Sequence, residues 1–319
     1  MESFAGRLAV VTGGGTGMGR ELVVQLAAEG ASVATCDLNP DTMAETGRLA
    51  EKEAPAGRRI TTHECDVSVE SEVERFRDEV VAQHETDHIN LLFNNAGIAG
   101  GGSFITGPRA VWDQTFAVCW GGVYNCSRAF VPLLVASDQG YVVNTSSVNG
   151  FWASLGAGMP HTAYSAAKFA VKGFTEALIE DFRVNAPHVK AAVVMPGHIG
   201  TDIVLNSRRL LLGADPADMS DEQLDTIKAD MARRGMPVEQ LSAGDLRQII
   251  QMMGESFRDN APLSAAQAAT IILDGVRAGK WRILVGDDAH FLDEAVRANP
   301  EGAYDHRTGG PALSTITGG

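Results

Sequence analysis

Basic residues are scarce in this chain. Its 319 residues include 26 Lys and Arg against 40 Asp and Glu, which gives a formal net charge of −14. A protein that binds the phosphate backbone of a nucleic acid needs a basic face, so nucleic acid is not expected as a partner. The chain also lacks an apolar run of about 18 residues or more, the signature of a membrane span, and a basic N-terminal segment followed by an apolar core, the signature of a secretory signal. We therefore expect a cytoplasmic protein that does not enter a membrane.

Cysteine is also rare, and its distribution excludes the common metal and disulfide frameworks. The chain has 4 cysteines without any C-x-x-C spacing, at Cys36, Cys65, Cys119 and Cys126. This pattern indicates free thiols in a reducing compartment. The segment from His84 to His88 matches the zinc motif H-E-x-x-H, but a strand-like run follows it directly, so the two histidines are not expected to share a helix face. We predict no metal site.

Short β-branched runs alternate with longer segments of helical pattern, and this alternation is the main signal of the fold. Apolar residues make up 45% of the chain, enough for a large core. The strand-like runs are RLAVVT (7–12), SVATCD (32–37), INLLFNN (89–95), YVVNTSS (141–147) and KAAVVMPG (190–197). The segments suited to crossover helices are 17–30, 40–54, 68–84, 109–136 and 162–186. Nearly continuous apolar strands separated by helices predict an α/β fold with a doubly wound parallel sheet.

The second part of the chain interrupts this rhythm. Residues 203–262 have helical spacing without a strand-like run, and they predict a helical insertion that could form a lid over a substrate. A final helix (264–279) and strand (281–286) then complete the sheet. We expect one domain over 1–290 and a C-terminal tail over 291–319 that is loosely ordered at its end.

A glycine-rich turn directly follows the first strand. Gly13, Gly17 and Gly19 stand in the order G-x-x-x-G-x-G and lead into a helix. Glycines allow the backbone to approach a pyrophosphate at the N-terminus of a helix, where free N–H groups point outward. A glycine-rich turn alone is weak evidence, because an ordinary tight connection between strand and helix has the same composition.

An acidic residue ends the second strand, where a dinucleotide-binding protein holds the adenosine ribose. Asp37 stands 18 residues after Gly19, and its carboxylate would bind the ribose hydroxyls and repel a 2′-phosphate. The positions of Thr16 and Leu38 carry neither Lys nor Arg, so no cation stands there to attract that phosphate. The pattern favours NAD over NADP. The alternative interpretation is an aspartate that caps the next helix.

A tyrosine and a lysine stand four residues apart on a predicted helix and hence on one face. Tyr164 and Lys168 form the pattern Y-x-x-x-K. A phenol titrates near ~10, and a neighbouring cation favours its ionised form, so such a tyrosine could exchange a proton with a substrate. By itself this pattern is common by chance.

Together these motifs resemble the short-chain dehydrogenase/reductase family over roughly residues 5–290. The segments that carry the resemblance are Thr12-Gly13-x-x-x-Gly17-x-Gly19, Asn94-Asn95-Ala96-Gly97, Ser146-Ser147-Val148-Asn149-Gly150, Tyr164-x-x-x-Lys168 and Pro196-Gly197-His198-Ile199-Gly200-Thr201. The resemblance implies a Rossmann fold and a nicotinamide cofactor. It also implies a homodimer or homotetramer, paired through the helices of 112–136 and 162–186.

The resemblance also implies roles for individual residues. Tyr164 would be the general acid/base, Lys168 would lower the pKa of Tyr164 and bind the nicotinamide ribose, and Ser147 would bind the reacting oxygen. Ile199 and Thr201 would hold the nicotinamide carboxamide. The full set expected to bind the cofactor is Gly13, Thr16, Gly17, Met18, Gly19, Asp37, Leu38, Asp66, Val67, Asn95, Ala96, Gly97, Tyr164, Lys168, Pro196, Gly197, Ile199 and Thr201.

Two departures from the family pattern bear on activity. Cys119 stands where the family has an asparagine that helps to hold a water beside the lysine, and a thiol is a weaker hydrogen-bonding group than an amide. We expect a proton relay rewired through water or backbone, with help from Asn149. The interval from Ser147 to Tyr164 is also longer than usual, so residues 151–159 should bulge beside the site and could line an apolar pocket, although packing in a lid or a subunit interface is an equal alternative.

The sequence therefore predicts an NAD-dependent enzyme that interconverts a secondary alcohol and a ketone on a fairly hydrophobic substrate. The alternative is an NAD-binding protein with weak or no turnover and a regulatory or scaffold role, which the loss of the usual asparagine at Cys119 would favour.

Overall fold

The computed structural model describes residues 1–213, 215–233, 236–238 and 240–305. Its strands are β1 Leu8–Thr12, β2 Ser32–Asp37, β3 Ile60–Glu64, β4 Leu91–Asn94, β5 Gly140–Thr145, β6 Val189–Pro196, β7 Ile199–Gly200, β8 Leu263–Ser264 and β9 Arg282–Val285. Seven of them form one sheet in the order β3-β2-β1-β4-β5-β6-β9, and every pair is parallel. The two short strands β7 and β8 pair with each other. The predicted doubly wound parallel sheet is confirmed.

Helices cover both faces of the sheet. In the first part of the chain they are α1 Gly17–Ala28, α2 Pro40–Glu53, α3 Glu70–His84, α4 Arg109–Phe116, α5 Gly122–Val135 and α6 Thr162–Asn185. The central strands β1, β4 and β5 are buried along their whole length, which explains their continuous apolar sequences. The predicted helix 109–136 is interrupted by a π-helical turn at Ala117–Gly121, and this turn contains Cys119.

The strand order determines where a ligand can bind. Strand β1 pairs with β2 on one side and with β4 on the other, so the connections leave β1 and β4 in opposite directions. In open α/β sheets a crevice forms outside the carboxyl ends of the strands at such a switch point. The glycine-rich turn after β1 and the Asn94-Asn95-Ala96-Gly97 segment at the end of β4 lie at this crevice.

Residues 203–262 form the predicted helical insertion. Its helices are α7 Ile203–Leu212, α8 Asp221–Arg233 and α9 Ala243–Asp259. They share a small apolar core of their own, formed by Met219, Leu224, Met231, Val238, Leu246 and Ile250. A capping box between Ser242 and Asp245 begins α9 and satisfies free N–H groups of its first turn.

The packed part of the chain extends further toward the C-terminus than the sequence indicated. Helix α10 Ala265–Arg277 precedes β9, and α11 Asp287–Ala298 follows it, so the predicted boundary at residue 290 falls inside α11. Leu292 and Ala303 are buried in one cluster with Trp152, whose indole nitrogen donates a hydrogen bond to the carbonyl of Ala303 at 2.9 Å. Contact with Trp152 explains why the packed chain extends to at least residue 303. The end of the predicted tail, 306–319, lies outside the described residues.

Within the described ranges, no helix could span a membrane. Each one is too short or too polar to cross a bilayer.

Candidate active site

The glycine-rich turn brings the backbone of β1 against the end of β4. Gly13 has a φ of +68°, and a Cβ at this position would lie 2.7 Å from the Cα of Ala96. A Cβ on Gly19 would lie 1.9 Å from the carbonyl oxygen of Gly13. Both contacts are too short for any side chain, so glycine is required at these two positions. The turn leaves its backbone open to a ligand at the N-terminus of α1.

The Asn95 side chain joins the glycine-rich turn to β4 and keeps one polar atom free. Its Nδ2 donates to the carbonyl of Thr12 at 3.2 Å, and its backbone N–H donates to the Thr12 hydroxyl at 3.1 Å. Its Oδ1 is buried and has no hydrogen-bond partner among the residues that the structure describes. A buried acceptor normally has a partner. This free atom, together with the glycine cradle, fits a bound ligand with hydrogen-bond donors, such as a dinucleotide.

Asp37 turns its carboxylate toward the glycine-rich turn. Its two oxygens accept hydrogen bonds from the N–H of Gly15 at 2.9 Å and from the N–H of Leu38 at 2.7 Å. The following helix α2 is capped by Asn39, whose side chain accepts from the first-turn N–H groups. The alternative interpretation of Asp37 as the helix cap was therefore wrong, because Asn39 takes that role.

A cleft of about 660 Å³ runs along the carboxyl ends of the strands. Of the predicted cofactor residues, the cleft is lined by Gly13, Thr16, Gly17, Met18, Gly19, Asp37, Leu38, Asp66, Val67, Asn95, Ala96, Gly97 and Thr201. The other predicted residues, Tyr164, Lys168, Pro196, Gly197 and Ile199, are not among the lining residues. The Ile199 side chain is buried in the core beside α10, and Gly197 packs against the Asp288 carboxylate.

One wall of the cleft comes from a helix whose residues were not predicted to bind the cofactor. Asn206, Arg209 and Leu210 of α7 line it together with Gly213. The Asn206 amide donates to the Thr16 hydroxyl at 3.2 Å, so α7 lies directly over the glycine-rich turn. The helical pattern after Thr201 was the available signal, but it does not show which face of the helix meets the cleft.

The predicted catalytic side chains lie together beside the cleft. Tyr164 and Lys168 are on successive turns of α6, and the Lys168 ammonium lies 5.4 Å from the centre of the Tyr164 ring. Lys168 is held by a 2.8 Å hydrogen bond from Nζ to the carbonyl of Thr145 at the end of β5. Ser147 follows the same strand, and its hydroxyl is near enough to the Tyr164 phenol to act on the pKa of Tyr164, which it lowers.

Burial shifts the pKa values of both Tyr164 and Lys168. Burial raises the pKa of Tyr164 above its ordinary value, a negative charge on Cys119 would add to that rise, and the hydrogen bond with Ser147 acts in the opposite direction. Burial lowers the pKa of Lys168. Desolvation of the phenolate is the largest of these effects on Tyr164, and the lowering of this pKa by Lys168 stays a prediction.

Cys119 replaces the expected asparagine but keeps a paired contact. Its thiol donates to the carbonyl of Ile98 at 3.2 Å, and its sulfur accepts from the N–H of Ile98 at 3.5 Å. The thiol therefore acts as both donor and acceptor toward the Ile98 peptide groups, although it is a weaker hydrogen-bonding group than an amide. Lys168 Nζ and Cys119 Sγ would lie 3.5 and 3.8 Å from a Cβ on Gly97, so both groups border the same point of the site.

The longer interval between Ser147 and Tyr164 forms an internally bonded bulge. The Asn149 amide nitrogen donates to the carbonyls of Trp152 at 3.0 Å and Ser154 at 2.8 Å. Both N–H groups are thereby occupied, which argues against the predicted help from Asn149 in a proton relay. Trp152 is fully buried against α11, so it packs the core and does not line a substrate pocket.

His161 comes closer to the catalytic tyrosine than the sequence indicated. Its ring centre lies 4.6 Å from that of Tyr164. Burial lowers the pKa of His161 to about 4, so the imidazole is neutral at physiological pH. The residue before α6 therefore places an uncharged ring with two polar nitrogens beside the reacting group.

The H-E-x-x-H motif does not form a joint site. His84 ends α3 and shares a hydrogen bond with the Thr61 hydroxyl, whereas His88 pairs with Asp87. In the part of the chain that the structure describes, no cluster of three or more His, Cys, Asp or Glu side chains has the arrangement of a metal site.

Comparison with known proteins agrees with this geometry. A family model described as short chain dehydrogenase matches residues 7–210. SadH of Mycobacterium tuberculosis, which is named an oxidoreductase, is 34% identical over 298 residues, which are 93% of this chain and 92% of the relative. The resemblance inferred from the motifs is confirmed.

Solved structures extend the likeness to the fold. A short-chain dehydrogenase/reductase from Burkholderia phymatum in complex with NAD is 26% identical, with a TM-score of 0.74 over 98% of this chain and 100% of that chain. A metagenomic short-chain oxidoreductase in complex with NADP is 30% identical, with a TM-score of 0.52 over 60% of this chain and 83% of that chain. The two structures hold different cofactors, so the likeness indicates a nicotinamide dinucleotide without choosing between NAD and NADP.

Proposed function

Because the chain belongs to the short-chain dehydrogenase/reductase family and is an oxidoreductase by that likeness, we propose that it interconverts a secondary alcohol and a ketone with NAD as cofactor. The observation that carries this proposal is the grouping of Ser147, Tyr164 and Lys168 beside a cleft that Asp37 lines. A bound nicotinamide would supply the chemistry of hydride transfer, and the protein would manage the proton.

The Ser147 and Tyr164 hydroxyls would together orient the substrate oxygen. Both side chains carry an O–H group, so together they can hold a ketone oxygen while Tyr164 donates its proton, or an alcohol while Tyr164 removes one. Lys168 is fixed on the Thr145 carbonyl at 2.8 Å, and its cation would stabilise the phenolate that forms. Ser147, whose oxygen also accepts from the N–H of Asn149 at 3.1 Å, would act as a positioned hydrogen-bond partner.

The raised pKa of Tyr164 affects ketone reduction and alcohol oxidation in opposite ways. Because burial favours the neutral phenol, the protein is ready to donate a proton for ketone reduction at neutral pH. Alcohol oxidation needs the phenolate, so its rate should keep rising with pH up to the raised pKa of Tyr164, well above neutrality, and the rate of reduction should fall only as the pH approaches that pKa.

Apolar side chains on α4 and α7 support a fairly hydrophobic substrate. Phe116, Leu210 and Leu211 are, like Tyr164, partly buried and packed against one apolar cluster. A ligand that enters between α4 and α7 would therefore meet hydrocarbon surface before the Ser147 and Tyr164 hydroxyls. Pockets of this kind fix an apolar molecule through a few polar groups.

The charge of the cleft supports NAD rather than NADP. Asp37, Asp41 and Asp66 line it, and a 2′-phosphate near Asp37 would place like charges close together. A metagenomic relative that binds NADP shows that the family accepts both cofactors, so the preference depends on such local residues.

The test is the absorbance of the reduced nicotinamide when the purified protein and NAD are offered small, aromatic and steroid-like secondary alcohols. We expect reduction of NAD with at least one hydrophobic alcohol, and its loss in Tyr164→Phe while NADH binding, followed by fluorescence, stays within about twofold. An active Tyr164→Phe variant would remove the proposed role of Tyr164. Binding of NADH without turnover across the panel would favour the alternative, a cofactor-binding protein with a regulatory or scaffold role.

A further inference from the structure

The cofactor cleft has an unbalanced charge. Three aspartates line it, Asp37, Asp41 and Asp66, and the one Lys or Arg among its described lining residues is Arg209. A dinucleotide brings a diphosphate with two further negative charges. The N-terminus of α1 offers a partial charge of about +0.5, which is smaller than the charge of the ligand. To bind the diphosphate, a cleft with this excess of negative charge therefore needs a full positive charge more than a neutral cleft would.

Arg209 stands one helical turn from the contact between α7 and the glycine-rich turn. Asn206 donates to the Thr16 hydroxyl at 3.2 Å, and Arg209 Nη1 donates to the Asn206 side-chain oxygen at 3.0 Å. The Thr201 side chain, just before α7, lies 3.1 Å from the position of a Cβ on Gly17. These contacts place the guanidinium above the N-terminus of α1, where a diphosphate binds.

The present partner of Arg209 can be exchanged. Arg209 Nε donates to the Asp215 carboxylate at 2.7 Å, and both side chains are half-exposed. An exposed ion pair of this kind adds little stability, whereas a guanidinium can hold two phosphate oxygens at once in a fixed geometry.

We propose that Arg209 is a cofactor-binding residue that leaves Asp215 and pairs with the diphosphate of the dinucleotide, thereby holding α7 over the glycine-rich turn. Asp215 competes with the ligand for the guanidinium and so limits cofactor affinity. This inference rests on the proposed nicotinamide cofactor, and it assigns the binding of the diphosphate to a residue outside the motifs of the family.

The experiment measures equilibrium binding, without turnover. NADH is titrated by its fluorescence, and ADP-ribose and adenosine are measured by competition against it. We expect Arg209→Gln to raise the Kd of NADH and ADP-ribose about tenfold, as the loss of a hydrogen bond between charged groups does, and to leave competition by adenosine unchanged because adenosine has no phosphate. Arg209→Lys should restore part of the affinity.

Two further variants separate the role of Arg209 from general effects. Arg48→Gln is the matched control, because Arg48 is also an exposed arginine paired with a carboxylate on a helix, that of Glu45, and it does not line the cleft. It should leave the Kd unchanged. Asp215→Asn should lower the Kd of NADH about threefold, and it should have no effect in an Arg209→Gln background.

The outcomes distinguish the inference from the proposed function. If the native protein binds NADH but Arg209→Gln changes the Kd by less than twofold, or weakens adenosine equally, the inference is overturned and the proposed function stands. If the native protein binds neither NADH nor ADP-ribose, both are overturned.

Discussion

Asp37 is tied to the glycine-rich turn by its own carboxylate, and this has a consequence for cofactor preference. Its oxygens accept hydrogen bonds from the N–H groups of Gly15 and Leu38. The side chain therefore stabilises the loop and also supplies a negative charge. Asp37→Asn keeps the shape of the side chain and one of its two acceptors, and it removes the charge. We expect the ratio of the Kd values for NADPH and NADH to fall about tenfold in Asp37→Asn, because the repulsion of the 2′-phosphate is removed.

Asp37→Ala separates the two roles of this residue. It removes the charge and the acceptors together, so it should relax cofactor preference similarly and also cost about 1 kcal/mol of stability through the lost hydrogen bonds. Fluorescence titration with both cofactors and urea unfolding measure the two effects. An unchanged ratio of Kd values in both variants would contradict the assignment of Asp37 to the adenosine ribose.

Cys119 makes two contacts with one buried peptide segment, and stability should depend on both. Cys119→Ala leaves the N–H and carbonyl of Ile98 without the partner that the thiol provides, so we expect a loss of about 1–3 kcal/mol in the free energy of unfolding. Cys119→Ser keeps a donor and an acceptor and should lose less. Cys126→Ala is the control, because this thiol is also buried and its removal leaves only a small cavity. Equal losses for the alanine variants at the two positions would show that the contacts with Ile98 contribute nothing.

The same residue distinguishes the two proposed functions. If Cys119→Asn increased turnover by orders of magnitude, the natural chain would be a weakened catalyst and the alternative of a cofactor-binding protein would gain support. Because the thiol already pairs with Ile98 on both sides, we expect the activity of Cys119→Asn to stay within tenfold of the native value.

At the scale of elements, Trp152 connects the bulge of 151–159 to the last helix. It is fully buried, and its indole donates to Ala303 at a distance of 151 positions in the chain. Trp152→Ala should cost about 3–5 kcal/mol in the free energy of unfolding, measured by urea titration. Trp281→Ala is the matched control, since Trp281 is 46% exposed and should change stability little. A similar, small loss in both variants would show that the bulge does not hold α11.

Elements with a strong local pattern could be predicted from the sequence, and those that depend on distant contacts could not. Strands β1, β2, β4, β5 and β6 follow from their apolar runs. Strand β3 has no such run, because as an edge strand it buries few of its side chains.

Distance along the chain explains what was missed at the site. The contact between Asn206 and Thr16 joins positions 190 residues apart, and no local pattern indicates which face of α7 meets the cleft. The motifs placed Ser147, Tyr164 and Lys168 together correctly, since each follows a strand end or lies on one helix. The pKa of Tyr164 could not be inferred in the same way, because its direction depends on burial by residues from several elements.

At the scale of the whole molecule, two helices present aromatic surface that a single chain leaves exposed. Tyr124 on α5 and Phe169 on α6 are 45% and 41% exposed, and Trp120 lies between the two helices, in ring contact with Tyr124 and Phe174. Exposed apolar surface of this kind is typical of an interface between subunits. The same helices are those expected to pair subunits, and the proposed homodimer or homotetramer would cover them.

We therefore expect sedimentation equilibrium at micromolar concentration to show a dimer or a tetramer. Phe169→Glu places a charge in the proposed interface and should shift the protein toward a monomer, because a buried unpaired charge is costly. Met252→Glu is the control, since Met252 is 50% exposed but lies on α9 in the insertion, and it should leave the mass unchanged. A native protein that sediments as a monomer would contradict the proposed assembly, and an oligomer that Phe169→Glu leaves intact would place the interface elsewhere.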